Sequence, residues 1–145
     1  MLVRIANLLS PGDLAHCRAR LEACDWIDGR VTAGEQSAKA KHNLQVPEES
    51  PVARELGELI LTRLGRHEDF VSAALPLRVF PPLFNRYDVG MGFGAHVDNA
   101  IRHVSQASGL RIRTDLSATL FLTDPADYDG GELVVEAAYG EQRIR

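Results

Sequence analysis

His96 and Asp98 are the residues of this chain whose types and spacing are best suited to chemistry. They lie in the segment 95–99, which we predict to be a short strand, and residues two apart in a strand project to the same face. An imidazole and a carboxylate on one face can form two corners of a 2-His-1-carboxylate facial triad, which leaves positions open on Fe(II) for a cosubstrate and O₂. Val97 is expected to turn away into packing. A glycine-rich turn at 90–94 would let the backbone approach such a site.

The sequence around this pair resembles a known family. Three runs carry the resemblance: FNRYDVGMGFGAHVDNAIR, RTDLSATLFLTDPADYDGGELVV and the earlier WIDGRVTAGEQSAKAKHNLQV. They are similar to bacterial PKHD-type hydroxylases, Fe(II)- and 2-oxoglutarate-dependent dioxygenases related to prolyl 4-hydroxylases. The resemblance covers nearly the whole chain. It implies that His96 and Asp98 bind iron, that 2-oxoglutarate is the cosubstrate and that L-ascorbate is the reductant.

Tyr87 resembles the strand tyrosine that contacts 2-oxoglutarate in the prolyl-hydroxylase relatives. It could equally be a half-buried aromatic side chain that packs on a barrel wall, and the sequence leaves both interpretations open. The reaction implied by the resemblance couples the decarboxylation of 2-oxoglutarate, with O₂, to the hydroxylation of a substrate. That substrate is not identified, because substrate contacts in such folds lie on variable loops.

The resemblance also implies a second iron-binding His and an Arg for the distal carboxylate of 2-oxoglutarate, and neither has a match in these 145 residues. We therefore expect a truncated family member with little or no activity as a monomer. The remaining histidines are expected at the surface or in a polar loop, and the late arginines do not match the motif: His16, His42, His67, His103, Arg143 and Arg145.

Three functional interpretations remain open on the sequence. The first is an Fe(II)- and 2-oxoglutarate-dependent hydroxylase, of which this is all or part. The second is a non-catalytic remnant, or a module that completes its barrel by association through open strand edges. The third is a metal- or ligand-binding jelly roll of the cupin kind, which ranks last because the second His/Glu cluster of cupins is absent.

The elements that must position the pair come in the order helices first, strands second. Ser10-Pro11 and Ser50-Pro51 each combine an N-cap residue with proline at the first helical position, and apolar residues follow at helical spacing. A short third helix is expected at 68–75. Strands are expected at 2–9, 77–80, 83–88, 114–123, 132–136 and from 142 onwards, and a polar loop is expected at 101–111.

This order predicts an α+β fold. The resemblance implies N-terminal helices followed by a double-stranded β-helix, or jelly-roll, barrel that is incomplete in this chain. We divide the chain into a helical and supporting region, 1–76, and a partial dioxygenase barrel, 77–145, which together form one structural unit.

Composition limits the partners and the location of the protein. Hydrophobic residues make up 45% and charged residues 25%, values typical of a globular domain. The net charge of −4 does not favour binding to nucleic acid or to anionic membranes. No segment approaches the ~20 apolar residues of a membrane span, and the start does not resemble a signal peptide, so we expect a cytoplasmic protein. Cys17 and Cys24 are expected to be buried thiols, because two helical turns separate them.

Overall fold

A computed structural model of the chain describes residues 2–32, 40–103, 109–138 and 140–145. These residues form an α+β fold, which confirms the class predicted from the order of elements. The described part contains three α-helices: α1 (Pro11–Glu22), α2 (Pro51–Arg66) and α3 (Glu68–Ala74). Short 3-10 turns span Gly29–Thr32 and Pro125–Asp127.

The helices begin where the sequence predicts. The Asp13 amide donates to Ser10 Oγ at 3.1 Å and the Ser10 amide donates to Asp13 Oδ2 at 3.2 Å, so α1 starts with a reciprocal capping box. At α2, the Ala53 amide donates to Ser50 Oγ at 3.1 Å. Proline at the first position of α1 and of α2 removes a donor that would otherwise lack a partner.

The main apolar core lies between the helices and one strand pair. Cys17 of α1 and three side chains of α2 pack with two residues that flank strands. Val46 donates a backbone hydrogen bond to Phe84 at 3.0 Å, which joins the two flanking segments beneath the helices. Both thiols are free, Cys17 being buried and Cys24 half-buried, which confirms that they pack rather than pair. The buried members are Cys17, Val46, Ala53, Leu56, Ile60 and Phe84.

The strands are short and form four separate antiparallel sheets. The strands are β1 (Ile27–Asp28), β2 (Lys41–His42), β3 (Leu44–Gln45), β4 (Asn85–Arg86), β5 (Gly92–Phe93), β6 (Ile101–His103), β7 (Arg111–Arg113), β8 (Leu133–Ala137) and β9 (Gly140–Ile144). The sheets are β1–β3–β4, β2–β5, β6–β7 and β8–β9, and none of them closes within the described residues. The jelly-roll barrel and the division at residue 76 therefore stay predictions.

Several predicted strands and one predicted loop are wrong. Segments 2–9, 77–80 and 114–123 form no strand, although 114–123 has the strongest strand composition in the chain. Strand propensity is expressed only when a neighbouring strand supplies the hydrogen bonds, and these segments pair with none in the described part of the structure. Conversely, the segment 101–111, predicted to be a polar loop, contains β6 and the first residue of β7. These two strands form because they pair with each other.

No helix among the described residues is long and apolar enough to cross a membrane.

Candidate functional site

The candidate site is built on the strand run 41–45. Within it, β2 pairs with β5 and β3 pairs with β4, so the segment 85–93 runs antiparallel beside it. Residues that face each other across an antiparallel pair lie on the same side of the sheet. Alternation along the strand therefore places the side chains of Val46 and Phe84 on the helical side. The opposite side carries the Phe93 ring, and the candidate site lies there.

A tight turn interrupts the segment 85–93 between β4 and β5. The Met91 amide donates to Asp88 O at 2.9 Å, which closes the turn. Gly90 adopts a φ of +81°, a left-handed conformation that side-chain-bearing residues rarely adopt. After the turn the strand resumes, and the Gly94 amide donates to Ala40 O at 3.0 Å. The turn thus returns the chain to the sheet immediately before His96.

His96 and Asp98 converge, although their segment is not the predicted strand. The imidazole stacks on the Phe93 ring with centroids 3.6 Å apart and an interplanar angle of 14°. Its Nδ1 lies 2.7 Å from Gly94 O, and its Nε2 lies 3.4 Å from Asp98 Oδ1. The expectation that Val97 packs inward is wrong, since that side chain is 89% exposed. Stacking and the contact to Gly94 replace strand pairing as the means of orienting the imidazole.

The donor atoms of this pair fit two positions of a metal ion. Since Gly94 O can only accept a hydrogen bond, a neutral imidazole carries its hydrogen on Nδ1 and presents the Nε2 lone pair. Two donors on adjacent positions of an octahedral ion, each about 2.1 Å from it, are about 3 Å apart. The separation of 3.4 Å requires only a small closing movement. Among the described residues, however, no group of three or more His, Cys, Asp or Glu side chains comes together that could hold a metal ion.

The other histidines of the chain lie elsewhere. His16 Nε2 is 2.8 Å from Glu55 Oε1 between α1 and α2, and His67 separates α2 from α3. His103 ends β6. His42 is opposite Gly92, so strand alternation directs it away from the side that carries Phe93. The late Arg145 donates to Tyr128 O at 2.8 Å.

Tyr87 follows β4 and lies on the same side of the sheet as Phe93. Its side chain is half exposed. Partial burial raises the pKa of the Tyr87 phenol above its usual value, and a hydrogen bond with the Asn43 side chain acts in the opposite direction. The phenol thus remains a hydrogen-bond donor near neutral pH. Its proposed contact with 2-oxoglutarate stays a prediction.

The polar residues of the strand run 41–45 were missed as site candidates. Lys41, Asn43 and Gln45 are 8%, 2% and 0% exposed, and their side chains line the Phe93 side of the sheet. Their polarity is typical of a loop or an irregular strand, neither of which predicts a site. The signal that could have identified them is their two-residue spacing, which places three polar tips on one face of a strand.

The fold and the pair together define an α+β protein with a candidate metal centre beside a stacked aromatic ring. No protein-family model matches the chain. Curated relatives do: PKHD-type hydroxylases of Methylobacterium nodulans and Gluconobacter oxydans are each 63% identical over 145 residues, and one of Cupriavidus metallidurans is 59% identical. The alignments cover 100% of this chain and 63%, 63% and 64% of those relatives, respectively.

The chain is therefore a homologue of the PKHD-type hydroxylases along its whole length, which confirms the resemblance seen in its sequence. It spans just under two thirds of the length of the curated relatives that it matches. Since these relatives are named hydroxylases, they support an enzyme family of the oxygenase type.

Proposed function

We propose that this chain carries the metal- and cosubstrate-binding part of an Fe(II)- and 2-oxoglutarate-dependent hydroxylase. The observation that supports it is the 3.4 Å separation of His96 Nε2 and Asp98 Oδ1, in a chain 63% identical to a named hydroxylase. When bound, iron and 2-oxoglutarate, with ascorbate as reductant, would supply the O₂ activation that hydroxylation of a C–H bond requires. The strands of a jelly-roll barrel would surround the site.

The chain's own residues would hold and orient the metal. His96 would bind through Nε2, while its Nδ1–H donates to Gly94 O and fixes the ring orientation. Asp98 would contribute one oxygen and a negative charge. Phe93 covers one face of the imidazole and keeps water from it. Tyr87 would donate a hydrogen bond to a carboxylate of the cosubstrate.

Binding of Mn(II) to the purified chain, followed by electron paramagnetic resonance, tests the metal assignment. We expect His96→Ala and Asp98→Ala each to weaken Mn(II) binding at least tenfold, because each removes one ligand. Substitution of residues that only hydrogen-bond to metal ligands already lowers metal affinity about 10–100-fold. His103→Ala is the matched control. His103 lies on β6, and its substitution should leave Mn(II) binding unchanged. Equal Mn(II) binding by the wild type and a His96→Ala, Asp98→Ala double variant would contradict the proposal.

A non-catalytic chain is the second candidate. The observation that favours it is that no third metal-binding side chain joins the pair within the described residues. Succinate formation from 2-oxoglutarate, with Fe(II) and ascorbate, separates the two candidates. A hydroxylase should form succinate faster than the His96→Ala variant does. A non-catalytic chain should bind Mn(II) yet form no more succinate than that variant.

A further inference from the structure

The hairpin of β6 and β7 has one face that is exposed along its whole length. Ile101 is opposite Arg113 and His103 is opposite Arg111, so these four side chains lie on the same face. All four residues are exposed, whereas the two residues between them on the strands, which lie on the other face, are half-buried. The hairpin therefore packs with one face and presents the other to solvent.

The exposed face of β6 and β7 carries a positive charge at one end. Arg113 is neutralised by Asp115, whose Oδ1 lies 2.9 Å from Arg113 Nε. Arg111 forms no such ion pair within the described residues, and the imidazole of His103 lies directly opposite it. A guanidinium beside an imidazole N–H offers hydrogen-bond donors that fit a carboxylate. This end of the hairpin thus favours an acidic partner.

The hairpin of β8 and β9 has an exposed face of opposite charge. Glu136 lies directly opposite Glu141, and Val134 opposite Arg143 extends the same face. Like charges directly opposite each other destabilise a strand pair. Arg143 Nε lies 2.6 Å from Glu141 Oε1, but no cation pairs with Glu136 in the part of the chain that the structure describes. A cation from outside the molecule would therefore relieve the repulsion between the two carboxylates.

The two faces also match in their apolar positions. Ile101 and Val134 are 54% and 40% exposed, and each lies two residues along its strand from the charged end of its hairpin. When the two charged ends meet, the apolar side chains therefore lie at the same end of the contact. The arginines there, Arg113 and Arg143, are already paired with carboxylates. Since both faces are exposed in the single chain, they do not cover each other within one molecule.

We propose that the exposed face of β6 and β7 in one copy of this chain binds the exposed face of β8 and β9 in a second copy, with Arg111 opposite Glu136. Because the two faces differ, the contact is head-to-tail, and copies join into a ring or an open chain. The contact needs no metal at His96 and Asp98, so it goes beyond the proposed function and is tested separately from it. Its charge pairing should make association weaker at high ionic strength.

Sedimentation velocity of the chain at several concentrations tests this contact. We expect the sedimentation coefficient of the wild type to rise with concentration, and to rise less at high salt. Arg111→Glu and Glu136→Arg should each weaken association at least about tenfold, because like charges then meet across the contact. An equal mixture of these two variants should associate like the wild type, since every contact between them again joins opposite charges.

Arg4→Glu and Glu58→Arg are the matched controls. Both residues are exposed and lie outside the two hairpins, so reversing their charges should leave association unchanged. A wild type that sediments as one monomeric species at all concentrations would overturn the inference, as would folded variants whose mixture associates no better than either alone. Should a charge reversal unfold the chain, as judged by circular dichroism, Arg111→Gln and Glu136→Gln are used instead. Each should weaken association and reduce its dependence on salt, and unchanged association in both would equally overturn the inference.

Discussion

At His96, the orientation of the imidazole depends on two neighbours, Gly94 and Phe93. The Gly94 carbonyl fixes which nitrogen carries the hydrogen, and the Phe93 ring fixes the plane of the imidazole. Such secondary contacts are a general requirement of metal-binding histidines, because a freely rotating ring would lose entropy on binding. The buried polar side chains of Lys41, Asn43 and Gln45 lie on the same side of the sheet as Phe93. The position of the Asn43 side chain depends on Gly29.

Substitution of Gly29 should directly disturb the buried Asn43 side chain. A Cβ added at Gly29 would lie 1.9 Å from Asn43 Oδ1, and the Asn43 side chain is held in place by Asn85. We expect Gly29→Ala to lower the free energy of unfolding by about 1–3 kcal/mol, the range for steric overpacking. Denaturant unfolding of the purified variant measures this change.

Gly65→Ala is the matched control for that experiment. Gly65 lies in α2, where an added Cβ would meet nothing within 4 Å. In a helix, alanine is more stable than glycine by roughly 0.5–1 kcal/mol, so this variant should be at least as stable as the wild type. Equal stability of the two variants would show that the Asn43 side chain moves aside without cost.

The sequence predicts part of the candidate site, and the limit is set by distance along the chain. His96 and Asp98 could be found because they are neighbours in sequence and carry reactive groups. Lys41 could not be placed beside them, because more than fifty residues separate it from His96 and only the pairing of β2 with β5 brings them close. Val97 was misplaced because its segment leaves the sheet, and alternation then ceases to apply.

At the scale of elements, side-chain contacts join α1 to α2. Arg63 near the end of α2 donates to both Asp13 oxygens at 2.9 Å, and Asp13 belongs to the capping box of α1. The hydrogen bonds from Arg63 and then Ser10 lower the pKa of the Asp13 carboxyl from 3.8 to about 2. The same carboxylate therefore stabilises the start of one helix and its contact with the other.

The contact between Arg63 and Asp13 contributes to the free energy of unfolding in a way that depends on pH. Because the pKa of Asp13 is lower in the folded chain than in the unfolded chain, its stabilisation is present above about pH 4 and is lost as the pH falls towards 2. We expect Asp13→Asn to lower the melting temperature at pH 7, and this difference from the wild type should shrink across that window. Thermal unfolding followed by circular dichroism at several pH values measures it.

Asp25→Asn is the control, since Asp25 is an exposed carboxylate just beyond α1. Its difference from the wild type should stay small at every pH. Asp28 also has a lowered pKa, about 2, held by Arg30, so some acid sensitivity should remain in the Asp13→Asn variant. A pH-independent difference between Asp13→Asn and the wild type would show that the carboxylate charge contributes nothing.

Helices were predicted well, whereas strands were not. Ser10 and Ser50 specify helix starts through contacts within four residues, so local sequence suffices. A strand needs a partner that is distant in sequence, and composition alone does not reveal whether it is present. Segment 114–123 shows this limit: its Leu, Thr and Phe content favours a strand, yet it pairs with no strand in the described part of the chain.

At the scale of the whole molecule, stability should be unevenly distributed. The core joins α1 and α2 to the segments around Val46 and Phe84, whereas β8 and β9 form a separate two-stranded sheet. Isolated two-stranded hairpins are only marginally stable. Segment 114–123 joins no sheet in the described part of the structure. Leu122 packs against the core, but Leu116 is 64% exposed.

Amide hydrogen exchange should therefore rank three regions of the chain. We expect exchange to be slowest in α2, intermediate in β8 and β9, and fastest at residues 116–122, because protection follows the free energy needed to open each hydrogen bond. Mass spectrometry of peptides from the exchanged chain measures this order. Protection at 116–122 equal to that of α2 would contradict it and would mean that this segment pairs with a strand. Repeating the measurement after dilution then identifies the partner: protection that falls with concentration comes from a second copy of the chain, and protection that does not comes from within one molecule.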